Sequence, residues 1–526
     1  MSKIVLVSLY DEFCFGIRYL SSYLQANRHS VWIINFKILS EINKKIEEEE
    51  PGGYYILPCC VSSKEISLFV ELIEKLNPDY IGFSFTANFF GLTILLSEKL
   101  KYLNKPIIWG GVVVTLNPES ALEYNDIVCV GEGEETLLEF IELHCNNKDY
   151  TKVKNLWFKN GANIIKNEVR PPYPNLDDFP FPDFDQKKKF VISDGKLFEN
   201  QFPPASHLNS SAMIISGRGC PYSCTYCCNN YFNKKLYPKM TFLRRRSVEN
   251  VVAELKYRIK TMSNLTFIEF IDDVFTLHRD WLREFGDRYK KEIKKPFWCF
   301  THPSACKREI IEILKDCGIS YTVIGIQSGS ERILYDVFNR RTSREKIINA
   351  CNIINSVGVR YIIDLIGLNP FETEQDRWDT LTLLLKLPHP FFIHPVNPLA
   401  LYPKHEITER ALELGYIQAK RTGRDCFLIE EEKIHRFWNA VHRLSQFEDL
   451  SDSTIITIAK DENLRNNPEI VEELLSVLLK FYYYKGNWLL PKDEYIKSLE
   501  NERKKIQVTQ KSKIRKILGK MKEFLS

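Results

Sequence analysis

Long hydrophobic runs are the first thing this 526-residue chain lacks. No stretch of about 20 apolar residues occurs, which argues against a membrane-spanning helix. The N-terminus, MSKIVLVSLYDEF, has no apolar stretch leading to a small-residue cleavage site, so the expected compartment is the cytoplasm. Histidine is scarce: there are 10 in all, and only His29 and His144 precede residue 200. No internal repeat at solenoid period is present, which excludes a stacked-repeat scaffold. Net charge is also small. Lys+Arg of 72 against Asp+Glu of 68 gives +4, without the strong basic excess of a nucleic-acid binder, and none is expected as a partner. That total hides an asymmetry. Residues 503–526 hold nine Lys/Arg and one Glu, +8, which leaves −4 for residues 1–502.

What is present is enough apolar and aromatic material, 44% and 13%, for more than one globular core. Up to residue 145, short apolar runs alternate with amphipathic stretches: strands at Ile4–Leu9, Val31–Asn35, Tyr80–Phe85, Pro106–Trp109 and Ile127–Val130, with helices such as Phe15–Gln25, Ile66–Leu76 and Leu92–Leu103 between them. This alternation predicts a parallel, doubly wound sheet, whose ligands sit beyond the carboxyl ends of its strands. Residues 151–205 read as a hairpin (156–165) and a Pro-rich extended linker, with five prolines between Pro171 and Pro182. Alternation resumes from Ala212, and six strand–helix units predict an incomplete barrel with its site at the strands' C-terminal ends. The expected architecture is α/β: a Rossmann-like domain (1–150), the linker (151–205), a partial (β/α)6 TIM-type barrel (206–405) and a C-terminal helical region (406–526).

Fourteen cysteines in a reducing compartment point to metal or catalysis before disulfides. The strongest single pattern is SGRGCPYSCTYCCNN, where Cys220, Cys224 and Cys227 stand in C-x3-C-x2-C spacing just past the first barrel strand. Three thiolates on one loop can hold three irons of a [4Fe–4S] cluster and leave the fourth open for chemistry. Zinc is the structural alternative, but it wants a fourth ligand and no paired C-x2-C or H-x3-H follows. Cys228, directly after Cys227, reads as a bystander.

These residues resemble the radical S-adenosylmethionine (SAM) superfamily, with Tyr226 matching the aromatic position before the last cysteine. IEFIDDVFT resembles the second-strand segment whose acidic pair lies near the SAM amino group, so the resemblance implies SAM contacts for Asp272 and Asp273. GIQSGSERIL is similar to the family's G-x-E-S-G-S segment, implying SAM contacts for Gln327, where Glu is usual, Ser328 and Ser330. DLIGLNPFETEQD is similar to the G-x-P-x-E-T stretch, with Asn369 inserted. Helix capping is the structural alternative for the aspartates, before His278–Tyr289, and for the serines. In this family one electron from the cluster cleaves SAM to a 5′-deoxyadenosyl radical and methionine.

GGVVVTLNPESAL and VGEGEETLLEF, together with NLDDFPFPDFD, resemble the cobalamin-binding domain that precedes a radical SAM barrel and its junction. The expected lining of that cofactor is Ser84, Phe85, Thr86, Gly110, Gly111, Gly131, Glu132 and Gly133, all on post-strand turns, with ordinary turn chemistry as the alternative. The D-x-H-x-x-G loop that supplies a cobalt-ligating histidine is absent, so the expected cobalamin has no protein histidine ligand. The resemblance implies methylation of an unactivated carbon of a secondary-metabolite, peptide or lipid substrate, with flavodoxin or ferredoxin as electron donor. Non-methylating ring-forming or oxidative chemistry is the alternative, and a cofactor sensor without turnover is the reading from another class. A methylthiotransferase needs a second cysteine trio in the first domain, where Cys14, Cys59, Cys60, Cys129 and Cys145 are scattered.

Beyond residue 405, predicted helices Glu431–Gln446 and Pro468–Tyr484 are expected over the barrel mouth, with Phe427, Phe437, Trp438 and Tyr482–Tyr484 as core or entrance aromatics. His394, His405 and His435 are candidate proton carriers. Ile514, Ile517, Leu518, Met521 and Leu525 share one helical face among lysines. This basic amphipathic pattern fits peripheral contact with an anionic membrane, a solvated helix being the alternative.

Overall fold

The computed structural model describes residues 1–38, 61–161, 163–204, 206–240, 242–417 and 432–482. Cys59, Cys60, Phe427 and the basic tail lie outside the described residues. So do Tyr483, Tyr484 and the Tyr482 side chain.

Five short apolar runs form the parallel strands β1 (Lys3–Leu9), β2 (Ser30–Phe36), β3 (Tyr80–Ser84), β4 (Ile107–Gly110) and β5 (Ile127–Cys129). Their near-continuous burial is what a sheet covered on both faces requires. Helices Phe15–Ala26 and Glu134–Cys145 cover one face, with Leu6, Ile17 and Phe140 in the core. Helices Ser63–Leu76 and Phe90–Glu98 cover the other, against Val5, Val7 and Phe83. The first of this second pair starts on a capping box, the Ser62 hydroxyl accepting from Glu65 N–H while Glu65 accepts from Ser62 N–H.

Residues 151–205 add four strands to this sheet, two of them the expected hairpin and two from the stretch expected to be an extended linker. The hairpin β6 (Leu156–Asn160) and β7 (Asn163–Lys166) extends it antiparallel from β5. At the opposite edge β8 (Lys189–Ser193) pairs parallel to β2 and turns back into β9 (Lys196–Glu199). The order is β7-β6-β5-β4-β3-β1-β2-β8-β9. A run as short as Phe190–Ile192, hemmed by lysines and prolines, carries no periodicity of its own. Its pairing with β2 is a tertiary decision. The chain leaves β1 toward β2 and returns on the other side to β3, so β1 and β3 flank a topological switch point.

The second sheet holds β10 (Ser211–Ile214), β13 (Phe267–Phe270), β14 (Phe297–Thr301), β15 (Ile319–Gln327), β16 (Arg360–Gly367) and β17 (Phe391–Ile393), parallel and in sequence order, with β18 (Asn397–Pro398) beside the end of β16. It is the partial barrel expected, its outer face packed by helices such as Val248–Thr261, Arg279–Glu292 and Arg344–Val357. Tyr321, Val323 and Ile362 form the inner layer with Trp298, Phe300 and Phe392. A two-stranded ribbon, β11 (Gly217–Arg218) with β12 (Arg244–Arg245), stands between the two sheets. Helix Lys433–Leu444 lies against the C-terminal ends of β15 and β16, and just past its end the Gln446 side chain accepts from Ile393 N–H at the open edge of the barrel, 3.1 Å. Phe437 and Trp438 are buried in the core this helix shares with Asp452–Lys460 and Pro468–Tyr482, a packing role. Among the described residues no helix is long and apolar enough to cross a membrane.

Candidate functional site

The cysteine loop leaves the barrel through Gly219, whose φ of +95° and approach to Phe242 (2.9 Å from a Cβ position to its carbonyl oxygen) admit only glycine without strain. The segment after β15 then clamps the loop. Thr225 N–H donates to Phe338 O (3.0 Å), its hydroxyl donates to Val337 O (2.7 Å), and the Asn339 amide donates to Ser223 O (3.0 Å). From the loop's other side Asn233 donates to Cys220 O (2.9 Å). Cys224 is buried, while Cys220 and Cys227 are half-buried. Burial pushes the Cys220 thiol up to about 12. Cys227 lies below the ordinary thiol value because the Cys228 thiol, and then Asn229, donate to it against the upward push of burial. Among the described residues no three Cys, His, Asp or Glu side chains gather as around one ion. A four-iron cluster asks for something wider, because each thiolate binds a different iron.

Around this loop the strand ends present polar groups. Asp272 does not cap a helix. It is buried and accepts from Ser216 N–H (3.1 Å) and the Ser216 hydroxyl (2.6 Å), tying β13 to β10, and burial raises its carboxyl above the ordinary range. Asp273 faces the cysteine loop; the crowding of its carboxyl by protein raises it above the ordinary range, and Asn229, donating to it, offsets part of that push. Gln327 sits in a left-handed conformation (φ +72°) at a register shift between β15 and β16, its amide folded back over Gly325. Ser328 and Ser330 are buried with their hydroxyls turned inward: Ser328 Oγ accepts from Ser330 N–H (3.1 Å) and Ser330 Oγ donates to Asp376 (2.5 Å). The turn's backbone is engaged as well: Gly329 N–H donates to Thr380 Oγ1 (3.0 Å) and Gly329 O accepts from Arg344 Nε (2.6 Å). The sequence missed Asp364, which pairs with His394 Nδ1 at 2.6 Å on the inward face of β16 and β17. His405 is buried, and His435 accepts from Glu432 N–H (3.2 Å).

In the first domain an apolar cavity of about 310 Å³ opens at the C-terminal ends of β1, β3, β4 and β5, beside helix Phe15–Ala26. Of the eight residues expected to line a ligand there, Ser84, Gly110, Gly111, Gly131, Glu132 and Gly133 do. Phe85 and Thr86 do not. Phe85 is turned into the core against Phe90 and Trp109, and Thr86 is exposed at the start of a short helical turn. The glycines leave room that side chains would close: a Cβ on Gly111 (φ +98°) would stand 2.9 Å from Ser84 Oγ, and one on Gly131 (φ +91°) 2.8 Å from Tyr237 Oη. Neither early histidine lines the cavity: His29 Nδ1 accepts from Ser2 N–H (3.3 Å), and His144 pairs with the Tyr80 hydroxyl (2.9 Å).

The far wall of the cavity is Ile215 and Arg218, from the barrel side. Glu132 binds that wall: it accepts from Arg218 (3.1 Å) and Arg244 (2.6 and 3.0 Å), and from Tyr173 N–H (2.9 Å). Arg218 also reaches Glu134 at 2.6 Å. Against the upward push of burial, Arg244 and Arg218 hold the Glu132 carboxyl below its ordinary range. A single residue, Gly219, separates the cavity wall at Arg218 from the first cysteine of the loop, Cys220.

The B12-binding domain profile matches residues 1–141 and the radical SAM superfamily profile matches residues 214–384. Residues 214–384 are thus a radical SAM superfamily domain. The chain carries a B12-binding domain in front of the barrel, and its cofactors are a [4Fe–4S] cluster, SAM and cobalamin. It is 26% identical over 331 residues to an uncharacterised methyltransferase of Pyrococcus horikoshii, covering 60% of this chain and 66% of that one. It is 25% identical over 391 residues to the cytidylyl-2-hydroxyethylphosphonate methyltransferase of Streptomyces wedmorensis, covering 68% and 69%. The chain thus spans about two thirds of these curated relatives. Its fold is similar to the cobalamin-dependent SAM radical enzyme OxsB solved with aqua-cobalamin (TM-score 0.65, 14% identity, 99% of this chain and 80% of that). The donor sets fit these groups: a thiol trio on one clamped loop for the cluster, and a glycine-rimmed apolar cavity without histidine for a large flat cofactor.

Proposed function

We propose that this protein is a cobalamin-dependent radical SAM C-methyltransferase acting on an unactivated carbon of a secondary metabolite, peptide or lipid. The observation that carries this reading is the shared wall. One cavity is bounded by Gly111, Gly131 and Gly133 on the first sheet and by Ile215 and Arg218, next to the cysteine loop, on the barrel. Two cofactors that hand groups to one substrate must lie side by side, and this wall brings their binding regions together.

When bound, the cluster supplies one electron for SAM cleavage and cobalamin supplies a methyl group. The chain's own residues hold and orient. In this reading Cys220, Cys224 and Cys227 hold three irons and leave one position open. Asp273 and Gln327 bind SAM, with the inward-turned Ser328 and Ser330 holding the shape of the turn beside them. Asp272 sets the position of Asp273 by fixing the β13 end to Ser216. The glycine turns and Glu132 cradle cobalamin, with no protein histidine. The inner aromatic layer of the barrel excludes water below the site. Electrons come from a small donor such as flavodoxin or ferredoxin, and the basic tail rests on an anionic membrane, a contact that liposome co-sedimentation of a chain lacking residues 511–526 tests.

The deciding experiment is anaerobic incubation of cobalamin-loaded protein with SAM and a reductant. Formation of 5′-deoxyadenosine supports the radical enzyme, and its absence overturns it in favour of a sensor. With substrate, S-adenosylhomocysteine should appear alongside, because SAM serves both as methyl donor and as radical source. Deoxyadenosine alone would point to non-methylating chemistry.

A further inference from the structure

Arg340 is a buried cation without a carboxylate. Its guanidinium donates to Gly325 O and approaches Cys224 Sγ at 3.7 Å, its Nε has no partner, and among the described residues no Asp or Glu pairs with it. Burying a guanidinium without an anion costs several kcal/mol. Elsewhere in this chain the buried arginines that meet carboxylates do so closely, as Arg246 meets Glu254 at 2.5 Å. Here the neighbouring anion can only be a thiolate and whatever the thiolates hold.

His302 is a second orphan at the same place. It follows β14, continues the inward face of Trp298 and Phe300, and is 3% exposed. Its ring stacks on Tyr222, inside the cysteine loop, with centroids 3.9 Å apart. Nδ1 accepts from Ser304 N–H (3.1 Å), so in the neutral ring Nε2 carries the proton, and that donor has no partner. Two unsatisfied buried donors beside one loop call for a common acceptor.

We infer that Arg340 and His302 donate hydrogen bonds to the sulfurs of the iron–sulfur site and raise its reduction potential. Reduction adds one negative charge to the cluster, and a fixed cation beside Cys224 stabilises the reduced form more than the oxidised one. Hydrogen bonds to sulfur act in the same direction. The electron comes from the external one-electron donor. Arg340 and His302 are positioning residues that touch neither substrate nor SAM in this role.

The inference rests on Cys220, Cys224 and Cys227 being the cluster ligands, and the test separates the two. Full-length protein is reconstituted anaerobically with iron and sulfide and titrated with dithionite, the reduced cluster being followed by electron paramagnetic resonance. If wild type takes up no cluster, the ligand reading itself fails. If it does, Arg340→Gln should load equally but show an about tenfold lower ratio of reduced to oxidised cluster at fixed potential, a shift of about 59 mV for one electron. Arg340→Lys should restore most of that ratio. A loaded Arg340→Gln with an unmoved midpoint overturns the inference. Should Arg340→Gln fail to load, His302→Phe decides, since it keeps the stacking on Tyr222 and removes the Nε2 donor together with the acceptor for Ser304 N–H, which lies on the far side of the ring: a lower midpoint in the loaded variant supports the inference and an unchanged one overturns it.

Discussion

The two halves of this molecule build their sites by opposite means. On the nine-stranded sheet the site is made of missing side chains: glycines at 111, 131 and 133 open a cavity that holds no histidine. At the barrel mouth it is made of side chains: three cysteines, Asp273, Arg340 and His302 crowd one loop. A large flat cofactor needs room and apolar walls. A metal cluster needs ligands and compensating charge. The difference in chemistry is written into which residue types occupy equivalent post-strand turns.

The comparison breaks most sharply at the cysteines. Cys220→Ala, Cys224→Ala and Cys227→Ala should each abolish the broad cluster absorbance and 5′-deoxyadenosine formation, while bound cobalamin stays. Gly131→Val should do the reverse. The added atoms meet Tyr237 Oη, so overpacking of about 1–3 kcal/mol should lower cobalamin affinity about tenfold or more. Cluster iron should be unchanged, and cobalamin per chain after gel filtration checks it.

Glu132 joins the two regions, and its loss should cost about 1–3 kcal/mol in chemical denaturation. Because its carboxyl is held below the ordinary value of 4.5, this contribution is complete above that value and is lost as pH falls through the lowered one. Glu132→Gln should therefore flatten that part of the acid limb of the stability curve. The smallest effect should come at Cys228. Cys228→Ser keeps a donor toward Cys227 and should retain the cluster, as its visible absorbance will show; complete loss would make Cys228 a ligand.

Much of this organisation was legible in the chain. The period of apolar residues marked the parallel strands of both sheets, and helix Phe15–Ala26 runs one residue past the predicted Phe15–Gln25. The cysteine loop was legible because its ligands are neighbours in sequence. Post-strand glycines also announced the cavity, although Phe85 turned into the core, since alternation along β3 does not say where an irregular turn will send the next side chain. Ser328 and Ser330 look alike as ligands or caps in sequence, and only the positions of Thr380 and Asp376 turn their hydroxyls inward.

The sequence by itself determined the periodicities, the thiol spacing and the absence of a histidine loop, because these depend on residues within a few positions of one another. The tertiary structure alone decided the pairing of β8 with β2, the Asp364–His394 pair, the seating of Arg340 against Cys224 and the wall shared by Glu132 and Arg218. Each of those joins residues tens to more than a hundred positions apart. No local propensity encodes such contacts: they exist only once distant segments have been brought together and their buried polar groups must find partners.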